Sequence, residues 1–406
     1  MKSQYVTFEN ADGNVLAARF TRPVGSATYH TAIFAHCFTC NKNFKAVKQI
    51  AEAMTHSGFG VLQIDFTGLG SSKGNFEDTD FSTNIQDLVA GADYLRENFE
   101  APSVLIGHSL GGAAVIYAAD KIPEVKAVAT IGSPSDPEHV SHLFENNIDE
   151  IMKQGYAKVN IGGRPFNIRK EFIQDLQDKR LDSILKKQKN KAFLFLHSPQ
   201  DEIVGIDHAR KLYEAAHHPK SFMSLDGADH LLTNNEDSQY VGNVIGTWVK
   251  RYLPPKEKVI KGDEKHIQIR LNAEDGYTTE IIDKKHRWLA DEPEDVGGDD
   301  LGPTPYGLLS SALGACTAMT IKMYADRKDW SLEEINVEIE HDKTHAEDCD
   351  NNKEKGAKID LFKRKIKITG NLDQDQIGRL GEIADKCPVH KTLSTKSKIE
   401  TEIINE

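Results

Sequence analysis

Ser103-Val104-Leu105-Ile106-Gly107-His108-Ser109-Leu110-Gly111-Gly112 decides the fold of the first half of the chain. An apolar run of strand length ends in a serine with glycines on both sides, and a stretch of small residues with helical character follows. A serine at a sharp strand-to-helix turn needs those glycines so that neighbouring backbone can approach, and its hydroxyl is then left exposed. The helix N-terminus favours negative charge, so the Leu110 N–H is placed to donate to a tetrahedral oxyanion. The alternative is a structural turn carrying an idle serine. The strand before it, the helix after it and the partners described below weigh against that.

Working outward, Thr31-Ala32-Ile33-Phe34-Ala35, Gly60-Val61-Leu62-Gln63-Ile64-Asp65, Ala127-Val128-Ala129-Thr130-Ile131 and Ala192-Phe193-Leu194-Phe195-Leu196 read as further buried strands. Helical spacing lies between them, as at residues 46–55 and 84–97. That order implies βα units and a doubly wound, mostly parallel sheet. Residues 136–190 break the rhythm: they are polar and read as largely helical, with a turn at Ile161-Gly162-Gly163-Arg164-Pro165. An insertion there is expected to cap the carboxyl ends of the strands, with Phe166 and Phe172 shaping an acyl pocket.

At 406 residues the chain exceeds one ordinary core, and two domains are expected. The Pro254-Pro255 stretch sets the boundary: a first domain over 1–253, a linker over 254–261 and a second domain over 262–406. A net charge of −12 argues against nucleic acid as a partner. Neither the first ten residues nor any later run has the apolar length of a signal core or a membrane span, so a cytoplasmic location is expected. Cys37, Cys40, Cys316, Cys349 and Cys387 are too scattered for a secreted disulfide scaffold and read as thiols. There are no internal repeats and no low-complexity tract.

A serine hydroxyl is a poor nucleophile without a base. On a sheet of this kind the partners follow in the order Ser, acid, His. Asp201 comes just after the strand ending at Leu196, and His230 lies in a loop ahead of a last helix. His230 is placed to accept the Ser109 proton and Asp201 to hold its ring in the right tautomer. His108, His217 and His218 are weaker bases, and Glu202 is the runner-up acid. The second oxyanion donor is expected from the Ala35-His36-Cys37-Phe38-Thr39-Cys40 loop, at the Phe38 N–H. Cys37 and Cys40 also make a C-x-x-C pair, but no second pair completes a metal set. The Asp65-Phe66-Thr67-Gly68-Leu69-Gly70 turn fails as a dinucleotide fingerprint, since Lys73 takes the place of the third glycine; it is expected to border the site's mouth.

These residues together resemble the α/β-hydrolase superfamily, specifically its small esterase and acyl-hydrolase branches, over about residues 1–252. The resemblance implies a carboxylic-ester hydrolase acting on a small acyl ester through an acyl-enzyme at Ser109, with no cofactor and no metal. Cys37 stands where such hydrolases commonly have glycine, and Thr67 where many have arginine.

Beyond the linker the texture changes. Residues 334–341 and 358–369 alternate polar and apolar, as half-buried antiparallel strands do. A helix is expected from Tyr306 to about Tyr324, with Cys316 on its apolar face, and a second over about 374–386. Segregated helices and strands suggest an α+β domain. Cys387 precedes a proline suited to the first helical position and so reads as an N-cap, where a thiol has a lowered pKa. The Cys316 and Cys387 motifs resemble the OsmC/Ohr family of thiol-dependent hydroperoxide reductases, over about residues 262–406. That resemblance implies an intertwined homodimer, with an organic hydroperoxide and a dithiol reductant as partners. It makes Cys316 peroxidatic, passing through a sulfenic acid, and Cys387 resolving. Tyr306 stands where active members place a glutamate, and the arginine beside the thiolate is left open, with Arg287 as one candidate. A domain kept only for assembly is the competing reading. His341, His345 and Cys349 would share a metal-binding face on a helix, but the strand alternation reaching His341 favours a solvated loop.

Overall fold

Strands β3 (His30–Ala35), β4 (Phe59–Ile64), β5 (Pro102–His108), β6 (Ala127–Ile131) and β9 (Ala192–His197) are buried along nearly their whole length. Strands that read as continuous apolar runs need cover on both faces, and they have it. Ile33 and Leu105 point into one core with α2 (Phe81–Asn98) and α3 (Leu110–Lys121). Their neighbours Ala32, Phe34, Val104 and Ile106 point into a second core with α1 (Lys45–His56) and α8 (Asn235–Val249). The computed structural model describes the chain except residues 26–28, 162, 255–265, 285, 346–357 and 405–406. It divides into two compact units, Met1–Lys261 and Gly262–Glu406.

The first unit carries an eight-stranded sheet in the order β1-β2-β4-β3-β5-β6-β9-β10. Here β1 is Lys2–Glu9, β2 is Val15–Arg22 and β10 is Lys220–Ser224. From β4 to β10 all neighbours are parallel, while β1 and β2 close one edge as an antiparallel pair. The chain leaves β3 toward β4 on one side and returns to β5 on the other. The strand order therefore reverses between β3 and β5, and the crevice at such a reversal is where open α/β sheets bind ligands. The remaining helix of this layer is α7 (Asp207–Ala215).

The insertion after β6 is a cap and is largely helical, as its pattern suggested, but it also holds a β-hairpin that its polarity hid. A short 3-10 segment (Pro137–Asn147) and α4 (Ile148–Gln154) lead into a β-hairpin, β7 (Tyr156–Ile161) with β8 (Arg164–Arg169). Then come α5 (Lys170–Gln177) and α6 (Leu181–Lys187). Strand β7 alternates exposed and buried residues, Ala157, Val159 and Ile161 facing in, a period of two that the surrounding charge obscured. The cap is tied down by Asp175, which accepts from the Ser82 N–H at 2.7 Å and hydroxyl at 2.8 Å, and by Arg169 on Asp78 at 2.7 Å.

The second unit has a three-stranded antiparallel sheet of β11 (Gln268–Leu271), β12 (Thr279–Asp283) and β13 (His286–Ala290). A two-stranded antiparallel ribbon follows, β14 (Ser331–His345) with β15 (Lys358–Asn371). The helices are α9 (Pro305–Arg327), longer than expected at both ends, α10 (Gln374–Ala384) and α11 (Pro388–Leu393). Thr304 caps α9 by accepting from the Gly307 N–H, and Pro305 occupies its first turn. The core joins Ile321 and Ala325 of α9 to Leu380 and Ala384 of α10. Among the described residues no helix is long and apolar enough to cross a membrane. The linker residues 255–261 fall outside the described residues.

Candidate active site

Ser109 sits between the last residue of β5 and the first of α3, at φ 54° and ψ −125°. Few residues other than glycine tolerate that half of the map, so the turn must be held by its surroundings. The glycines do this. A Cβ on Gly107 would lie 2.3 Å from the Gly111 carbonyl oxygen, and one on Gly111 would lie 2.4 Å from that of His36. Backbone occupies the space on both sides of the serine, as the sequence reading required.

His230 bridges the serine and an acid. Its Nε2 lies 3.0 Å from Ser109 Oγ and its Nδ1 lies 2.7 Å from Asp201 Oδ2. A carboxylate only accepts, so the ring proton sits on Nδ1 and Nε2 is left to accept from the hydroxyl. Asp201 Oδ1 in turn accepts from the N–H groups of Ile203 (2.9 Å) and Val204 (2.8 Å). Burial alone would raise the Asp201 carboxyl, but the hydrogen bonds from His230, Val204 and Ile203 outweigh it and hold the group below its ordinary value. Gly132, at φ 54°, leaves the room both groups need: its Cβ would stand 3.2 Å from Asp201 Oδ2 and 3.3 Å from His230 Nδ1. Glu202 is exposed, and His217 bonds the Lys186 carbonyl 2.9 Å away.

Two further buried histidines support this group. His108 donates from Nε2 to the His230 carbonyl at 2.6 Å, so it braces the base instead of reaching the serine. Burial, with the neighbouring His230, lowers its pKa to about 3. His197 donates to the Val204 carbonyl at 2.6 Å and is likewise held low by burial. The His108 pairing could not be read locally, because its ring meets backbone 122 residues along the chain.

The loop after β3 faces the serine. Cys37, Phe38, Thr39 and Cys40 line the same cavity as Ser109 and Leu110. Cys37 and Cys40 are joined by a disulfide, which corrects the reading of both as thiols. Leu110 is the first residue of α3, so its N–H has no acceptor within the helix. Behind the loop, Lys42 Nζ meets Asp65 Oδ2 at 2.5 Å, with the two side chains 2% and 0% exposed. Asp65 also accepts from the N–H groups of Lys42 (2.5 Å) and Ser71 (2.8 Å), and a Cβ on Gly70 (φ 59°) would come within 2.2 Å of it. The turn from Asp65 thus anchors the loop through Lys42; none of its residues lines the cavity, so it does not border the mouth.

The cavity measures about 370 Å³ and is mostly apolar, with Phe44, Val140, Leu143, Ile161, Val204 and Leu231 among its walls. Phe166 and Phe172 do not line it. They pack behind the loop, Phe172 stacked on Phe38 at 5.5 Å and Phe166 edge-on to Phe76 at 5.0 Å between ring centroids. The cap instead reaches the cavity through Val140 and Leu143 of its first segment and through Ile161 and Arg164 at the hairpin turn.

In the second unit the structure brings Cys316 and Cys387 together. Cys316 on α9 is half-buried and Cys387, the N-cap of α11, is buried. Burial raises the Cys387 thiol, but hydrogen bonds from Cys316, the His390 and Val389 N–H groups and Thr317 outweigh it and leave the group low. Arg287 lies on the three-stranded sheet, 3.1 Å from Glu280. Arg364 of β15 bonds residues that adjoin the cysteines, donating to Thr317 Oγ1 at 2.7 Å, to the Ala384 carbonyl at 3.2 Å and to Asp385 at 2.7 Å. Tyr306 stacks on His341 at 4.4 Å, and His341 lies on β14 facing Asp360 at 3.0 Å. Cys349 lies outside the described residues, and no group of three metal-ligating side chains forms among those described.

Comparison with known proteins divides the chain in the same way. Residues 32–163 match the family model described as serine aminopeptidase, S33, and residues 297–402 match that of OsmC-like protein. The esterase domain from a Rhodothermus marinus protein is 48% identical, with a TM-score of 0.52, over 62% of this chain and 99% of that one. The mitochondrial palmitoyl-protein thioesterase ABHD10 of Rattus norvegicus is 31% identical over 122 residues, 30% of this chain and 40% of that protein. Monoglyceride lipase of Rattus norvegicus is 28% identical over 139 residues, 33% of this chain and 45% of the lipase. The chain spans less than half the length of these two curated relatives.

Proposed function

Because the chain belongs to the α/β hydrolases and carries an OsmC-like domain after its hydrolase domain, we propose that it cleaves carboxylic esters of short acyl chain through an acyl-enzyme on Ser109. One observation carries the reading: His230 bridges Ser109 Oγ and Asp201 Oδ2 with both ring nitrogens. As Oγ attacks the ester carbonyl, Nε2 takes its proton, and Asp201 stabilises the imidazolium that forms. The N–H groups of Phe38 and Leu110 receive the oxyanion. His230 then gives the proton to the departing alcohol, and water repeats the sequence on the acyl-enzyme to release the acid. A cavity of about 370 Å³ is near the lower end of ligand-site sizes, which supports a short acyl chain. The thioesterase and the lipase among its relatives use related hydrolytic chemistry, and the same triad serves thioesters equally well. The test is a panel of acyl esters and matched thioesters of rising chain length, on the native chain and on Ser109→Ala. Turnover should peak at short chains and vanish in the variant; turnover that survives Ser109→Ala overturns the reading.

A second activity is supported by the Cys316–Cys387 contact. Cys316 attacks the terminal oxygen of an organic hydroperoxide, the O–O bond breaks, and the products are a sulfenic acid and an alcohol. Cys387 then displaces water to form a disulfide, which an external dithiol reduces. In this reading the exposed side of α9, with Met319 and Met323 each 65% exposed, is covered by a second copy of the chain. Hydroperoxide consumption with dithiothreitol should fall at least tenfold in Cys316→Ser. An unchanged rate, or no rate in the native chain, leaves the domain as an assembly module.

A further inference from the structure

The walls above Ser109 hold a charge that ester cleavage by itself does not use. Among the described residues no carboxylate lines the cavity, yet Arg164 does. It is the first residue of β8, paired in register with Ile161 across the hairpin turn, and Ile161 is itself buried in the cavity wall. Arg169, at the far end of the same strand, is paired with Asp78 and Glu77. Arg164 has no ion-pair partner among the described residues. Of the two histidines on the same wall, His139 faces the Ile203 carbonyl at 3.0 Å and His142 faces the His139 carbonyl at 2.5 Å. Both therefore spend a nitrogen on backbone and add no carboxylate to neutralise the guanidinium.

Ser109, Phe38 and Leu110 line the cavity where a carbonyl would be accepted, and Arg164 of the cap lines the same cavity, whose walls are mostly apolar. Arg164 is exposed to solvent at the hairpin turn, so water serves its donors until a ligand displaces it, and its planar fork matches a carboxylate in a bidentate way. A phosphate dianion would call for more than one cation. We propose that Arg164 determines specificity, and that the substrate is an ester with a free carboxylate at the end of one arm, docked on Arg164 while its carbonyl sits at Ser109. This rests on the hydrolase reading above and names its substrate class.

The experiment compares esters that differ only in that charge. On the acyl arm, mono-4-nitrophenyl adipate is set against its methyl ester; on the alcohol arm, 4-carboxyphenyl hexanoate is set against its methyl ester. Values of kcat/KM are measured for the native chain, Arg164→Gln and Arg164→Lys. In one pair the native chain should favour the carboxylate by roughly tenfold, the scale of a charge-assisted bond at a partly solvated site. Arg164→Gln should bring that ratio to about one, through KM more than kcat, and Arg164→Lys should fall between. A ratio near one in both pairs for the native chain overturns the proposal, as does a preference that Arg164→Gln leaves in place. Neutral-ester turnover abolished by Ser109→Ala, with no carboxylate preference, defeats the role of Arg164 alone. No turnover of any ester, or turnover that survives Ser109→Ala, defeats the hydrolase reading itself.

Discussion

Replacing Gly111 by alanine adds one methyl group at the contact between the nucleophile turn and the oxyanion loop. Its Cβ would stand 2.4 Å from the His36 carbonyl oxygen and 2.5 Å from that of Ala35. Both are backbone atoms at the end of β3, so no side-chain rotation can make room. Restoring ordinary contact requires β3 and α3 to separate by roughly 0.5–1 Å, an overpacking that costs about 1–3 kcal/mol. The displacement cannot stay at His36, whose Nδ1 donates to the Cys37 carbonyl at 2.9 Å and whose ring is buried. It is passed on to Phe38. Losing one oxyanion donor typically costs about 10²–10³ in kcat, so Gly111→Ala should lower kcat by about a hundredfold with KM within about threefold. Steady-state hydrolysis of 4-nitrophenyl butyrate gives both constants, and urea unfolding of the same samples gives the stability loss. A variant that loses the expected stability yet keeps kcat within about threefold refutes the reasoning, because the loop would then have moved without consequence for the chemistry.

Asp201→Asn keeps the shape of the triad but removes the anion that holds the Nδ1 proton, so kcat should fall by about 10³–10⁴ with little change in unfolding midpoint; a loss under tenfold would separate Asp201 from the chemistry. Lys42→Met strips the buried partner from Asp65, and urea unfolding should show a loss of about 3–5 kcal/mol; a loss below about 1 kcal/mol would mean that water reaches the pair. His36, His108 and His197 are held neutral by burial, His108 down to about 3, whereas the unfolded chain takes up their protons below its ordinary histidine value. Their stabilising effect is therefore complete above about pH 6.5 and is lost as pH falls from there toward the folded values, at about 1.4 kcal/mol per pH unit for each ring. Unfolding followed between pH 7.5 and 5 should show a shallower slope in His108→Gln by about that amount, and an identical slope would mean the ring is protonated in the folded protein.

What the sequence determined by itself was everything carried by local pattern. Apolar runs of strand length named β3, β4, β5, β6 and β9, because strands buried on both faces have no polar side to interrupt them. The Gly107-to-Gly111 spacing located the elbow, since only glycine lets backbone approach Ser109 from both sides. Asp201 and His230 were legible because each stands at a fixed place relative to a strand, and the Cys387 N-cap because Pro388 follows it. Tertiary structure alone decided the contacts that leave no period in the chain. The cap hairpin was hidden because charged residues on its exposed face masked the alternation of β7. Arg364 meets Thr317 beside Cys316 and the Ala384 carbonyl because its long side chain reaches from β15 to α9 and α10, and nothing in the local composition ranks this arginine above another. The Lys42–Asp65 pair, the Cys37–Cys40 bond and the place of Arg164 in the cavity lining share that origin. A long side chain's partner is set by which backbone the fold places within a few ångströms of it, and a linear sequence carries no such distances.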